Sequence, residues 1–265
     1  MDTAITKEYL KNLQYGTTAN LDARIKIHQL FSTNPESFHA WIGSHLPLTK
    51  PVDVLEVGCG TGIFWRENQS RLPAGSTLTL TDFSQAMVEK TLANLGDTEA
   101  KVETADVENL PYDDDGFDLV NAHHIIYHTQ DKARAFSEIK RVLRPDGFVT
   151  ITTNSEIHMF NVYEIGRRLD ANFPTDRIID SFTEEIADKM LPQFFGNIEK
   201  HVQEDILEVT DIQFMLDYVA SGVKPRDMSV ADDFFERYAT VVQAEMDEKG
   251  YFGIPKRSPL FLCRP

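Results

Sequence analysis

The sequence predicts an α/β protein whose parallel strands alternate with helices packed on both faces of one sheet. Three observations predict it. Short apolar runs rich in β-branched residues recur between positions 52 and 153, amphipathic helical patterns separate them, and the first run ends directly in glycines. Strand and helix alternating at this rhythm give right-handed crossovers that cover the sheet on both sides.

The first fifty residues read as helical, with Leu21, Ile25 and Leu30 on one face and Phe38, Trp41, Ile42 and His45 on another. Asn34-Pro35 predicts a helix start with proline at the first helical position, and Pro47 and Pro51 bracket the break after it. Val52–Val57 then reads as a buried strand, Ile63–Arg71 as a helix and Thr77–Thr81 as the second strand. Ser84 is placed to cap a helix running to Leu95. Lys101–Ala105 and Phe117–Asn121 supply two more strands. Asp131–Leu143 forms a helix with Ala135, Phe136, Ile139, Val142 and Leu143 on one face. Arg144-Pro145-Asp146-Gly147 predicts a turn ahead of the strand Phe148–Thr153.

After Thr153 the rhythm changes. Ile157–Leu169 and Phe182–Leu191 read as two amphipathic helices inserted in the α/β order. Ile198–Leu207 reads as a late strand, Asp211–Ala220 and Ala231–Glu248 as helices, and Arg257–Cys263 as a terminal strand that Pro259 assigns to an edge. The chain thus divides into an N-terminal helical part (1–50), an α/β core (51–154), a helical insertion (155–195) and a C-terminal part of the core sheet (196–265).

Composition narrows the function. With 42% hydrophobic residues over 265 positions, the chain can build a substantial core, and disorder is set aside. No apolar run approaches the ~20 residues of a membrane span, and the N-terminus lacks the apolar stretch of a secretory signal. Cys59 and Cys263 form no disulfide framework and have no metal-ligand spacing, so a reducing cytoplasm is the expected compartment. A net charge of −16 repels phosphate backbones, and the basic pairs Arg167-Arg168 and Lys256-Arg257 are too short to offset it. Nucleic acid is therefore not the expected partner.

The chemistry concentrates around VLEVGCGTG (54–62), where a strand runs into Gly58, Gly60 and Gly62 and a helix follows. Such a turn lets a ligand approach the peptide plane beside helix N-terminal amides; the plain alternative is a tight strand–helix turn. The dinucleotide pattern G-x-G-x-x-G fails because Ile63 stands where its third glycine is needed, and no phosphate-cradling G-x-x-x-x-G-K-[ST] occurs. Asp82, at the end of the next strand, is spaced to accept both hydroxyls of a ribose or to start the following helix. Phe83 is either an adenine contact or a core residue. Asp106 either accepts from an adenine amino group, with the Val107 amide donating to the ring, or serves a turn. Cys59 counts among the cofactor-binding candidates by its place in the glycine turn, its thiol reading as buried and inert.

Five pieces in order, namely VLEVGCGTG, TLTLTDFS (77–84), TADVENLPYDDDGFDLV (104–120), HHIIYHTQD (123–131) and EIKRVLRPDGFVTITT (138–153), resemble the class I S-adenosylmethionine-dependent methyltransferases. Within these, the chain is similar to the large type 11 group that includes ubiquinone/menaquinone C-methyltransferases. The resemblance covers about residues 50 to 153 and implies a Rossmann-like, seven-stranded, mostly parallel sheet with the last strand antiparallel. It implies S-adenosyl-L-methionine as cofactor, with Glu56, Gly58, Gly60 and Gly62 along its methionine and ribose portion. Asp82 would hold the ribose diol, Asp106 and Val107 the adenine, and Asn121 to His123 would line the amino-acid moiety. Arg-Pro-Asp-Gly stands where the group often has Lys-Pro-Gly-Gly. The N-terminal helices and the insertion lie where this group builds substrate lids. Met159, Phe160, Tyr163 and Phe173 either cap an apolar pocket or pack against the sheet.

The reaction so implied is methyl transfer to a small molecule, on oxygen, nitrogen or carbon, by in-line displacement that needs alignment and exclusion of water. His123, His124, Tyr127 and His128 follow the fourth strand on the ligand-binding side of such a sheet. His124 and then His128 are the first candidates for a general base, with packing or hydrogen bonding as the alternative for each. Tyr15, His28 and His158 either reach the site from the flanking segments or are structural. No H-E-x-x-H or cysteine partner accompanies the histidines, so no metal is expected. Three other functions share these features: cyclisation or decarboxylation on the same scaffold, a non-catalytic cofactor-binding module, and protein methylation.

Overall fold

The structure is a computed structural model that describes residues 26–97, 99–173, 178–223 and 230–265, the side chains of 178, 179, 222 and 223 aside. The expectations for Tyr15, Leu21 and Ile25 lie outside the described residues. In chain order the elements are α1 (Phe38–His45), β1 (Asp53–Val57), α2 (Ile63–Asn68), β2 (Thr77–Asp82), α3 (Gln85–Leu95), β3 (Lys101–Thr104) and β4 (Phe117–His123). There follow α4 (Lys132–Val142), β5 (Leu143–Thr152), α5 (Phe160–Leu169), α6 (Glu184–Met190), β6 (Asn197–Val209), α7 (Ile212–Val223), α8 (Phe234–Lys249) and β7 (Phe252–Arg264).

The seven strands form one sheet in the order β3-β2-β1-β4-β5-β7-β6. Strands β1 to β5 pair in parallel, while β7 runs antiparallel to both β5 and β6. Successive residues of a strand face opposite sides, and the core divides accordingly. Leu55, Val57, Val120 and Ala122 pack against Phe136, Ile139 and Val142 of α4 and against Phe182 and Leu191 of the insertion. Val54, Leu80 and Leu119 face the other way, onto Ile42 of α1 and Phe64 and Trp65 of α2.

The C-terminal strands reach beyond the rest of the sheet. Only Leu260–Cys263 of β7 pair with β5, whereas β7 pairs with β6 from Phe252 to Arg264. The overhanging stretch carries a third cluster, in which Leu207, Val209, Phe252 and Ile254 pack with Val162 and Ile165 of α5, Met215 of α7 and Tyr238 of α8.

Three local expectations are corrected. The first described helix of the α/β unit starts at Phe38, because Ser37 caps it by accepting the Ala40 amide at 3.0 Å; Asn34-Pro35 lies ahead of it. Arg144–Gly147 lies within β5 as an irregularity, since Phe117 pairs with Leu143 but Leu119 with Phe148. Arg144 uses this excursion to reach Asp118 at 2.6 Å and Asp53 at 2.9 Å, tying β1 and β4 together. The last strand is interior, between β5 and β6. Pro259 is tolerated because it pairs with Val202 of β6 just past the stretch that β5 covers.

The insertion is stapled to the overhang by charge. Glu184 accepts from Arg257 Nε at 2.7 Å and Nη2 at 2.9 Å, and from Lys200 Nζ at 3.2 Å. Among the described residues no helix is long and apolar enough to cross a membrane, and no group of three or more His, Cys, Asp or Glu is arranged to hold a metal.

Candidate active site

Strand β1 ends at Val57, and the chain turns through Gly58 at φ +74°. A Cβ there would stand 2.2 Å from Cγ2 of Ile125, so side chain and backbone conformation both demand glycine. At Gly60, φ is +57° and a Cβ would meet nothing within 4 Å, so this peptide borders open space. The turn is braced on two sides: Asp82 Oδ2 accepts the Gly60 amide at 2.9 Å, and the Thr91 hydroxyl donates to the Gly60 carbonyl at 2.9 Å.

That open space belongs to a cavity of about 740 Å³. Glu56, Gly58, Cys59, Gly60, Asp82, Phe83, Asp106, Val107, His123, His124 and His128 all line it. Two residues expected with them do not. Gly62 is turned away, into contact with Thr91, where it begins α2. Asn121 is fully buried one step below the cavity, its Oδ1 accepting from Thr150 at 2.6 Å. Phe83 is 44% exposed and lines the cavity, so it is not a core side chain.

The carboxylates differ in their surroundings. Asp82 also accepts the Ser84 amide at 2.8 Å, yet burial still raises its pKa. Glu56 is 2% exposed, and among the described residues its Oε2 has no partner at hydrogen-bond geometry. Burial pushes its carboxyl up to about 8, against the opposing pull of the Trp65 indole N–H and with a smaller contribution from the Asp82 charge. Asp106 accepts the Glu108 amide at 3.0 Å. Burial drives the Cys59 thiol pKa upward, which keeps it protonated.

Two histidines at the end of β4 are neutral for the same reason. His123 is held well below the ordinary imidazole range by burial, and by the nearby His124 and His39. His124 is lowered to about 4 by burial, with His39 and Lys256 adding to the effect. His124 also sits at φ +55°, its amide donating to the Thr152 carbonyl at 3.1 Å. A non-glycine residue in this region is held there by its surroundings. His128 lies on the short 3-10 turn Ile126–His128, with its ring 4.6 Å from that of Tyr127.

The rest of the wall comes from the flanking segments. His28 and His158 do reach the cavity, and so do Phe38, Asn154, Gln203, Lys256 and Ser258. Met159, Phe160, Tyr163 and Phe173 do not line it; Met159 and Phe173 are buried in the third cluster, with Tyr163 packed against it. Sequence reasoning missed Gln203, Lys256 and Ser258, which enter only through the β6–β7 register. Asn154 carried a signal, standing two residues after the end of β5 on the side where β1, β2 and β4 end in the cavity.

Residues 55–151 match the family model described as "Methyltransferase domain". The chain is 37% identical over 99 residues to a malonyl-[acyl-carrier protein] O-methyltransferase of Geobacter sulfurreducens, covering 37% of each chain. It is 33% identical over 102 residues to a ubiquinone/menaquinone biosynthesis C-methyltransferase of Geotalea daltonii, covering 37% of this chain and 43% of that one. The chain thus spans less than half the length of these curated relatives. A solved structure described as a putative methyltransferase from Bacillus halodurans superposes with a TM-score of 0.61, at 16% identity over 86% of this chain and 99% of that one. At that identity the likeness establishes the fold.

Proposed function

We propose that this chain, whose residues 55–151 form a class I S-adenosylmethionine-dependent methyltransferase domain, transfers a methyl group from S-adenosylmethionine to a small-molecule acceptor. The observation that carries the reading is the glycine turn braced by Asp82, with open cavity beside Gly60. The residues present suit the cofactor. Glu56 has a buried oxygen in want of a donor, Asp82 has lone pairs left after two amide bonds, and Phe83 offers a ring surface. Asp106 and Val107 complete the adenine end of this assignment.

S-adenosylmethionine supplies a methyl group on a positively charged sulfonium, which is neutralised when the methyl leaves. The chain contributes alignment and exclusion of water, since the cavity is walled by elements from both ends of the sequence. His124 and His128 stand at the cavity to receive a proton where the acceptor must lose one. His124, neutral at rest, is in the state that a base requires, and its low basicity restricts it to relaying a proton onward. Relatives named for O-methylation and for C-methylation support either acceptor atom, and only an acceptor that is not already ionised calls on such a base.

Calorimetry with S-adenosylmethionine and S-adenosylhomocysteine tests the cofactor assignment, and mass spectrometry of a metabolite extract incubated with the protein tests transfer. Binding of both, a loss of at least about tenfold in affinity for Asp82→Ala, and an added methyl on one metabolite are expected. No binding by either compound would sink the reading.

A further inference from the structure

The glycine turn is held from behind by α3. Thr91 and Asn94 stand one helical turn apart and so share a face of that helix. The Thr91 hydroxyl donates to the Gly60 carbonyl at 2.9 Å, and Asn94 Nδ2 donates to the Thr61 carbonyl at 2.8 Å. A Cβ on Gly62 would come within 2.8 Å of Thr91 Cγ2, so the threonine methyl closes the space beside Gly62. Cys59 Sγ lies 3.5 Å from Thr91 Oγ1. Since the hydroxyl proton goes to Gly60, the protonated thiol is the donor in that contact. Thr91 is fully buried, and neither it nor Asn94 lines the cavity, whereas Cys59, Gly60 and Thr61 do.

We propose that Thr91 and Asn94 are positioning residues for the cofactor, setting the shape of the glycine turn from outside the cavity. A turn with glycines at 58, 60 and 62 has wide backbone freedom unless something removes it. Asp82 takes the Gly60 amide and Thr91 the Gly60 carbonyl, so the two bonds fix the peptide planes on either side of the Gly60 Cα. The Asn94 bond fixes the next plane. Both carbonyl oxygens are thereby engaged by a helix outside the cavity, and are kept from turning toward the oxygens of a ribose or a carboxylate. A turn fixed before binding also loses less conformational entropy when a ligand arrives. The inference rests on the methyl-transfer reading, because it presumes that the turn receives S-adenosylmethionine.

The test uses the full chain, with S-adenosylhomocysteine as the calorimetric titrant. Thr91→Val keeps the side-chain shape and removes the hydroxyl, whereas Thr91→Ser keeps the hydroxyl. Thr91→Val is expected to bind about tenfold more weakly than the parent, and Thr91→Ser to stay within about threefold of it. Hydrogen exchange without ligand separates positioning from general stability. The Gly60 and Gly62 amides, bonded to Asp82 and to the Cys59 carbonyl, should lose protection in Thr91→Val, while Leu80 in β2 and Val120 in β4 keep theirs. Asn94→Ala, at a half-buried position, carries the same two readouts where Thr91→Val misfolds. Undiminished affinity in Thr91→Val, a Thr91→Ser variant as weak as Thr91→Val, or protection lost evenly across β2 and β4 each overturn the proposal. A parent chain that never binds S-adenosylhomocysteine overturns the methyl-transfer reading beneath it instead.

Discussion

His123 Nε2 lies 2.9 Å from the hydroxyl of Thr150, and this contact fixes which ring nitrogen carries the proton. Thr150 spends its own proton on Asn121 Oδ1 at 2.6 Å, so its oxygen is left to accept, and His123 must donate from Nε2. Nδ1 is then the bare nitrogen, buried and without a hydrogen-bond partner among the described residues, in a residue that lines the cavity. Thr150→Val keeps the shape but strands both His123 Nε2–H and Asn121 Oδ1. It should cost about 2 kcal/mol in urea unfolding, whereas Thr150→Ser should stay within about 0.5–1 kcal/mol of the parent. Equal losses for the two variants would show that the hydroxyl does not orient the ring.

Glu56 links cofactor affinity to pH. Its carboxyl is raised to about 8 by burial, so at neutral pH in the free protein it holds a proton. A ligand cation or N–H donor at the unpartnered Oε2 favours the ionised form, and binding must expel that proton. Calorimetry at pH about 7 in buffers of different ionisation enthalpy should therefore register proton release, with affinity for S-adenosylhomocysteine rising toward pH about 8. Glu56→Gln should flatten the dependence. Binding without proton exchange would place the ligand's donor elsewhere.

The site half built on β1, β2 and β4 was legible because local chemistry fixes it: only glycine fits beside Ile125, and Asp82 ends a strand whose direction the alternating pattern determines. The part of the cavity wall that comes from β6 and β7 was not legible. Gln203 and Lys256 belong to strands of 13 residues whose overhang past β5 is a matter of register, which no short motif encodes. The same overhang misled the reading of Pro259, where a residue typical of edges sits inside the sheet beyond the doubly paired stretch. Arg144–Gly147 reads as a turn from composition, and becomes a strand irregularity because Arg144 finds two carboxylates on neighbouring strands.

Glu184 is the staple between insertion and sheet. Its side chain is 5% exposed and faces both Arg257 and Lys200. Burial alone would raise its pKa, but the Arg257 and Lys200 hydrogen bonds outweigh it and hold the carboxyl below its usual range. Glu184→Gln leaves two cations facing a neutral amide and should cost about 2 kcal/mol, between the values for exposed and fully buried pairs. Thermal unfolding checks it; a midpoint unchanged from the parent would demote the contact to a surface ion pair.

Asp205 controls how the segment before α1 is held over the cavity. Ser32 Oγ donates to it at 2.6 Å, and the Thr33 and Asn34 amides at 3.2 Å each, while Ser32 and Asn34 themselves line the cavity. Burial works against its charge, yet the bonds from Lys256 and Ser32 prevail and its pKa is lowered. A depressed carboxyl contributes stability above its ordinary pKa and loses it as pH falls through the lowered value. The segment should therefore be fastened at neutral pH and loosen in acid. Hydrogen-exchange protection of the Thr33 and Asn34 amides should persist at pH about 6 and fall off below pH about 4. Asp205→Asn should be weakly protected at both. Protection in the parent that is indifferent to pH would mean that the Thr33 amide bond to the Ile206 carbonyl, at 3.0 Å, holds the segment without help from the charge.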